Sequence, residues 1–209
     1  MKFLLILCLA ILVWSCDNTS QKITSVKGPE VEENSDTRTK AERERDSTRI
    51  MNSITILNVV KNASTIDSKK LDRSPFNTMD FDKVVAYSYD GSHEQIKIAP
   101  GIGKTRSASE TIDQQVGINQ KQANTILSLF SNKSTYDPMA SAGCFEPRFA
   151  LVLYKGNSSV MQISVCMDCN NVHFTPEIKA NEGGLSKKGR KTIIAFCKEL
   201  KFPYGELEQ

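Results

Sequence analysis

The side chains best equipped for chemistry in this chain are its thiols: Cys144, Cys166, Cys169 and Cys197 in the C-terminal part, after Cys8 and Cys16 near the start. Cys166-Met167-Asp168-Cys169 is a CxxC. In thioredoxin-like proteins that spacing opens a helix, whose N-terminus stabilises the thiolate. Here it follows a β-prone run ending near Val165 and precedes Asn170-Asn171, a turn signal, so redox chemistry lacks its usual physical support. A CxxC is also half of many zinc sites, and Cys144, Cys166 and Cys169 with His173 or Cys197 supply four ligands. Zinc, however, needs thiolates that are kept reduced. The third use is structural: four cysteines allow three disulfide pairings, and Cys144, Cys166, Cys169 and Cys197 are all candidates. Cys197 falls on the apolar stripe of a C-terminal helix, where a thiol packs as a small hydrophobe.

Other chemistry has few candidates. The chain has two histidines, His93 and His173, and neither belongs to an HExxH; no GxSxG occurs. Gly101-Ile102-Gly103-Lys104-Thr105 has the end of a phosphate-binding loop but Ile98 where the first glycine belongs, and polar Arg106-Ser107-Ala108-Ser109 where the helix should start. Asp80, Asp82 and Asp90 lack calcium-loop spacing and are read as solvated carboxylates. No catalytic residue and no cofactor is implied, and a binding role is the stronger expectation than an enzymatic one.

The first residues carry an address. Met1-Lys2 begins with a positive charge, residues 3–14 are an apolar run, and Ser15-Cys16 leads into the polar Asp17-Asn18-Thr19-Ser20. That is the pattern of an export signal over residues 1–15. A membrane-spanning helix takes about 20 apolar residues, more than this run provides. Val13-Trp14-Ser15-Cys16 resembles the lipobox of bacterial lipoproteins, with Trp14 where a small or aliphatic residue is usual. The resemblance implies that Cys16 is acylated and becomes the new N-terminus, anchoring the protein to a membrane through several acyl chains at about 0.8 kcal/mol per buried methylene. The domain is then exported and held at the cell envelope, periplasmic or facing outward. Such a compartment is oxidising, and an even number of remaining cysteines there favours disulfides over zinc.

Residues 17–49 are rich in Ser, Thr, Asn, Glu, Lys and Arg, with Ile23, Val26 and Val31 as scattered apolar exceptions. They cannot bury enough surface to offset their ordering entropy, so residues 16–49 are expected to be a lipidated, flexible tether to a single domain over residues 50–209. A helix can begin within the charged residues 40–49 and continue through Ile50, Met51, Ile54 and Leu57. The net charge is only +3, with both signs interspersed, which gives no electrostatic footprint for nucleic acid.

The elements that must position these residues follow from pattern. Residues 84–89 and 94–98 are β-prone on either side of Asp90-Gly91, a hairpin expectation. Residues 99–117 lack apolar periodicity and read as a loop. Asn119-Gln120-Lys121-Gln122 has the capping-box spacing, with Ala123, Ile126, Leu127 and Phe130 on one helical stripe. A second hairpin joins residues 149–154 to 160–167 around Gly156-Asn157. Ser186 caps a last helix bearing Ile193, Cys197 and Leu200 and ending by Pro203. The expected fold class is α+β, an antiparallel sheet built from two β-hairpins with two or three helices packed on one face.

Register then bears on the cysteines. A two-residue turn at Gly156-Asn157 sets Lys155 opposite Ser158, so Val152 faces Met161, Ala150 faces Ile163 and, continued outward, Cys144 faces Cys169. Facing Cα atoms lie about 4.5–5.5 Å apart, within disulfide range. A register shift makes Cys144 to Cys166 the alternative, with the remaining thiols paired or free.

Cys144-Phe145-Glu146-Pro147-Arg148, the strand Ala150-Leu151-Val152-Leu153-Tyr154 and Ile163-Ser164-Val165-Cys166-Met167-Asp168-Cys169-Asn170 together resemble a group of exported proteins of Bacteroidetes-type bacteria, over residues 80–203. The resemblance implies an address and no mechanism. The expected function is that of a membrane-anchored envelope lipoprotein whose domain binds an envelope protein or component, without enzymatic activity. The alternative is a thiol-redox or metal-binding protein using Cys144, Cys166, Cys169 and His173.

Overall fold

The computed structural model describes residues 37–89, 91, 112–139, 143–178 and 184–207, and the chain from Arg38 onward forms one compact unit. Residues 1–36, with the run read as an export signal, Cys16 and the first part of the expected tether, lie outside the described residues, as do His93, residues 94–98 and residues 101–105. In chain order the elements are α1 (Lys40–Asn62), β1 (Lys83–Tyr89), β2 (Ile112–Gly117), α2 (Gln120–Phe130), β3 (Tyr136–Asp137), β4 (Phe149–Lys155), β5 (Ser158–Cys166), β6 (Asn171–Thr175), β7 (Gly184–Leu185) and α3 (Lys187–Glu199). Five strands form an antiparallel sheet in the order β2-β1-β4-β5-β6, and β3 pairs with β7 in a small second ladder. The class is α+β, as the sequence predicts. Among the described residues, no helix is long and apolar enough to cross a membrane.

Helix starts follow the local chemistry. Asn119 Oδ1 accepts the Gln122 N–H at 3.0 Å while Gln122 Oε1 accepts the Asn119 N–H at 3.0 Å, the reciprocal box that satisfies two otherwise orphaned donors of α2. Ser186 Oγ accepts the Gly189 N–H at 3.1 Å and opens α3. The helix expected to arise within residues 40–49 begins at Lys40, where Thr39 and Glu42 form a capping box of their own.

The sheet is buried on both faces. Val84 and Ala86 of β1, Phe149, Leu151 and Leu153 of β4, and Met161, Ile163 and Val165 of β5 join one core with Ala123, Ile126, Leu127 and Phe130 of α2 and Ile193, Phe196 and Cys197 of α3. On the other face Val85, Tyr87, Tyr89, Ala150, Val152 and Tyr154 meet Ile56 and Val60 of α1. So α2 and α3 share one face, but α1 lies on the opposite one, correcting the expectation of helices on one face only. The physical sign is in β1 and β4, which read as nearly unbroken apolar runs, the pattern of strands covered on both sides. Helix α1 is apolar in two directions: Ile50, Met51, Ile54 and Leu57 point outward and are 48–59% exposed.

One strand replaces an expected loop, and a second follows the turn signal after the CxxC. One neighbour of β1 is β2, within the stretch read as a loop; its sequence, Ile112-Asp113-Gln114-Gln115-Val116-Gly117, is mostly polar because it is an edge strand, held by its ladder to β1. After Cys166 the chain turns over residues 167–170 and returns as β6, with Val165 opposite Val172 and Cys166 opposite Asn171. Asn170 takes φ 54°, left-handed backbone that asparagine tolerates better than most residues.

The β4–β5 hairpin forms as expected, with Lys155 opposite Ser158, but its register shifts between Leu153 and Tyr154. Beyond that bulge Val152 faces Gln162 and Ala150 faces Ser164, instead of Met161 and Ile163. The extra residue turns Met161, Ile163 and Val165 to the same face as Leu153, Leu151 and Phe149, aligning the apolar set that an unbroken register would have split between faces.

Candidate functional site

The β5–β6 turn carries the CxxC, and it is held from several sides. Asn170 Nδ2 donates to the Leu185 carbonyl at 2.7 Å, and the Leu185 N–H returns to the Asn170 carbonyl at 3.0 Å. The Arg190 guanidinium of α3 donates to the Met167 carbonyl, and the Met167 N–H donates to the Tyr204 hydroxyl at 3.3 Å. Cys166 and Cys169 are both buried, with Asp168 exposed between them.

Cys144 and Cys169 stand at disulfide distance, with Cα atoms 5.6 Å apart. The pairing is the one predicted, although the ladder does not produce it: β4 and β5 stop pairing at Phe149 and Val165, and Cys144 reaches Cys169 from the loop before β4. That loop is anchored along its length. The Phe145 ring stacks on His173 with centroids 4.0 Å apart, and Pro147 is buried with its carbonyl so close to Gly91 that a side chain there would collide with it. The Arg148 N–H donates to the Val165 carbonyl at 3.3 Å, and the Arg148 carbonyl accepts from the Tyr89 N–H at 3.1 Å.

Cys166 and Cys197 remain thiols. Cys166 Sγ accepts the Cys169 N–H at 3.1 Å. The disulfide leaves Cys144 and Cys169 without free thiolates, and among the described residues no group of three or more His, Cys, Asp or Glu is placed to hold a metal ion. Burial lowers the His173 pKa from its ordinary value, opposed by Glu177 nearby.

Cys197 sits in the core of α3 as expected, and burial pushes its thiol up to about 12. An ordinary thiol ionises near 8.5. Cys197 in the native protein is therefore expected to resist iodoacetamide at pH 8, and to label rapidly in denaturant. Because the folded thiol keeps its proton after the unfolded one has lost it, Cys197 lowers stability as pH rises from about 9 towards 12. Peptide mapping after native labelling checks the first point; equal labelling with and without denaturant overturns it.

Beside the disulfide-clamped loop lies an open cleft of about 350 Å³ at the end of the sheet. Tyr89 and Asp113 line it from β1 and β2, Arg148 from the anchored loop, Asp168 from the CxxC turn, and Phe202 and Tyr204 from the segment after α3. Phe149 forms part of the lining and packs edge-on against Phe196 at 6.3 Å and Phe202 at 6.2 Å. Tyr89 is 1% exposed, with its hydroxyl buried beside Ser164. The Ser164 hydroxyl accepts from Gln162 Nε2 at 2.8 Å, which leaves its own proton for the Tyr89 hydroxyl. Burial raises the pKa of both Tyr89 and Tyr204, so both stay neutral donors. Neither Arg148 nor Asp168 forms an ion pair among the described residues.

Of these residues, sequence reasoning drew attention to Arg148 and Asp168, through the segments around Cys144 and Cys166, and missed Tyr89, Asp113 and Tyr204. Only folding brings them together, and no spacing rule links them. What the fold and site define is an α+β domain with a disulfide-clamped, mixed-charge cleft. Comparison with known proteins finds no match: no family model, no curated protein and no solved structure aligns with the chain.

Proposed function

We propose that this chain is an exported envelope lipoprotein, acylated at Cys16, whose α+β domain binds a ligand or partner and is not an enzyme. The observation that carries the reading is the Cys144–Cys169 pair beside the cleft. Disulfides form and persist in oxidising compartments, which agrees with the lipobox-like Val13-Trp14-Ser15-Cys16 and with the resemblance to exported Bacteroidetes-type proteins. The bond also pins the loop that presents Arg148, as a binding site on a loop requires.

Cys16→Ala tests the anchor, because Cys16 is the acyl acceptor of the motif. The parent protein is expected in the membrane pellet of fractionated cells, and the variant either soluble or retained as an unprocessed precursor. A variant that pellets and matures like its parent overturns the lipoprotein reading.

A second reading, thiol–disulfide exchange, is favoured by the Cys169 N–H that faces Cys166 Sγ at 3.1 Å, a donor suited to a thiolate. In that exchange the Cys166 thiolate attacks Cys169 Sγ, the Cys144–Cys169 bond breaks, and Cys144 leaves as a thiolate. The native alkylation map described for Cys197 also reads this: exchange labels Cys144 in the parent but not in Cys166→Ser.

A further inference from the structure

From the cleft's charges, unpaired among the described residues, we infer that its ligand is a small zwitterion of the amino-acid type, either a free amino acid or the end of a short peptide, with Arg148 taking the carboxylate and Asp168 the ammonium. This rests on the binding reading above and names the ligand class of the same site.

Three observations converge. First, the cleft holds opposite charges that do not neutralise one another: Arg148 and Asp168 both line it, and neither has an ion pair among the described residues. Tyr204 lies within electrostatic reach of both, since Asp168 raises its pKa and Arg148 lowers it. A ligand carrying both signs satisfies both groups at once, whereas an anion alone would meet Asp168 and Asp113, and a cation alone would meet Arg148. The guanidinium is planar and donates in pairs, which suits a carboxylate.

Second, neutral donors are available. The Tyr204 oxygen accepts from the Met167 N–H, leaving its own proton to donate. The Tyr89 hydroxyl is a second neutral donor, buried beside Ser164 at the cleft wall. Third, the rest of the wall is apolar, with Phe149, Phe202 and Leu207, and the volume of about 350 Å³ is at the low end of ligand pockets. The site suits a molecule with a charged head and a modest hydrocarbon body.

Full-length protein in detergent is titrated calorimetrically with L-leucine, with leucyl-leucine, with 4-methylpentanoate (no ammonium), with 3-methylbutylamine (no carboxylate) and with glucose. L-leucine or the dipeptide is expected to bind, and the two single-charge analogues to bind at least about tenfold more weakly, as loss of one charged hydrogen-bonding partner implies. Binding of the dipeptide in preference to leucine identifies a peptide end as the source; the reverse identifies a free amino acid. Arg148→Gln and Asp168→Asn change exposed side chains and are expected to leave the fold intact while each weakens the zwitterion about tenfold or more. Tyr89→Phe is expected to weaken it less.

The inference is overturned if leucine and dipeptide both fail to bind, if either single-charge analogue binds as well as leucine, if glucose alone binds, or if both charge variants bind like the parent. Those results leave the anchoring question to the Cys16→Ala fractionation, so the two failures are separable.

Discussion

Replacing Cys144 and Cys169 together with serine is expected to lower the stability of the domain by about 3–4 kcal/mol. The two residues are 25 apart in sequence, and closing a loop of that size removes this much chain entropy from the unfolded state. The native Cα separation of 5.6 Å lies within the range a disulfide spans, so the bond requires no shift of the backbone. For a domain of this size the loss corresponds to a fall in Tm of roughly 7–14 °C. Thermal or urea unfolding of parent and double variant measures it, and reducing the parent should reproduce most of the change. Parent and variant with the same Tm under oxidising conditions would show that the bond is not formed. The variant also loosens the loop behind Arg148, so its affinity for a cleft ligand should fall at temperatures where the domain is still folded.

The second large effect lies at the cleft floor. Phe149 is 1% exposed, faces Val165 and Ser88 across the sheet, and packs edge-on against Phe196 and Phe202. Phe149→Ala removes that contact area and leaves a void between β4, α3 and the segment after it. The expected cost is about 3–5 kcal/mol, because so enclosed a site cannot collapse fully onto the missing ring. Phe149→Leu keeps most of the volume and should recover much of the loss. Urea titration of the three proteins decides it: a cost below about 1 kcal/mol for the alanine variant would mean that Phe202 and its neighbours are free to move inward, and that the cleft is not preformed.

Several elements were legible because their signals are local. The capping box at Asn119 and the stripe of Ala123, Ile126, Leu127 and Phe130 specify α2 within one short window. Gly156-Asn157 specifies the β4–β5 turn, where Gly156 takes φ 59°, and Ser186 with Ile193 and Cys197 specifies α3. The Cys144–Cys169 pairing was legible for a partly mistaken reason: the bulge at Leu153 broke the register on which it was derived, while the anchored loop and the turn at residues 167–170 brought the same two residues together.

What the sequence by itself determined is the class of the domain and the caps and turns of its strongest elements, since those signals lie within a few positions of one another; for the cysteines, 25 positions apart in the bonded pair, it offered alternatives. Only the tertiary structure decided that the polar residues 112–117 are a strand, because an edge strand is held by backbone bonds to β1 that no side-chain pattern advertises. It also decided that α1 covers the second face, for a helix apolar in two directions does not specify which side meets the sheet. The cleft belongs wholly to that level: Tyr89, Asp113, Arg148, Asp168 and Tyr204 come from five separate segments, and their charges and hydroxyls converge only where the sheet, the clamped loop and the C-terminal segment meet.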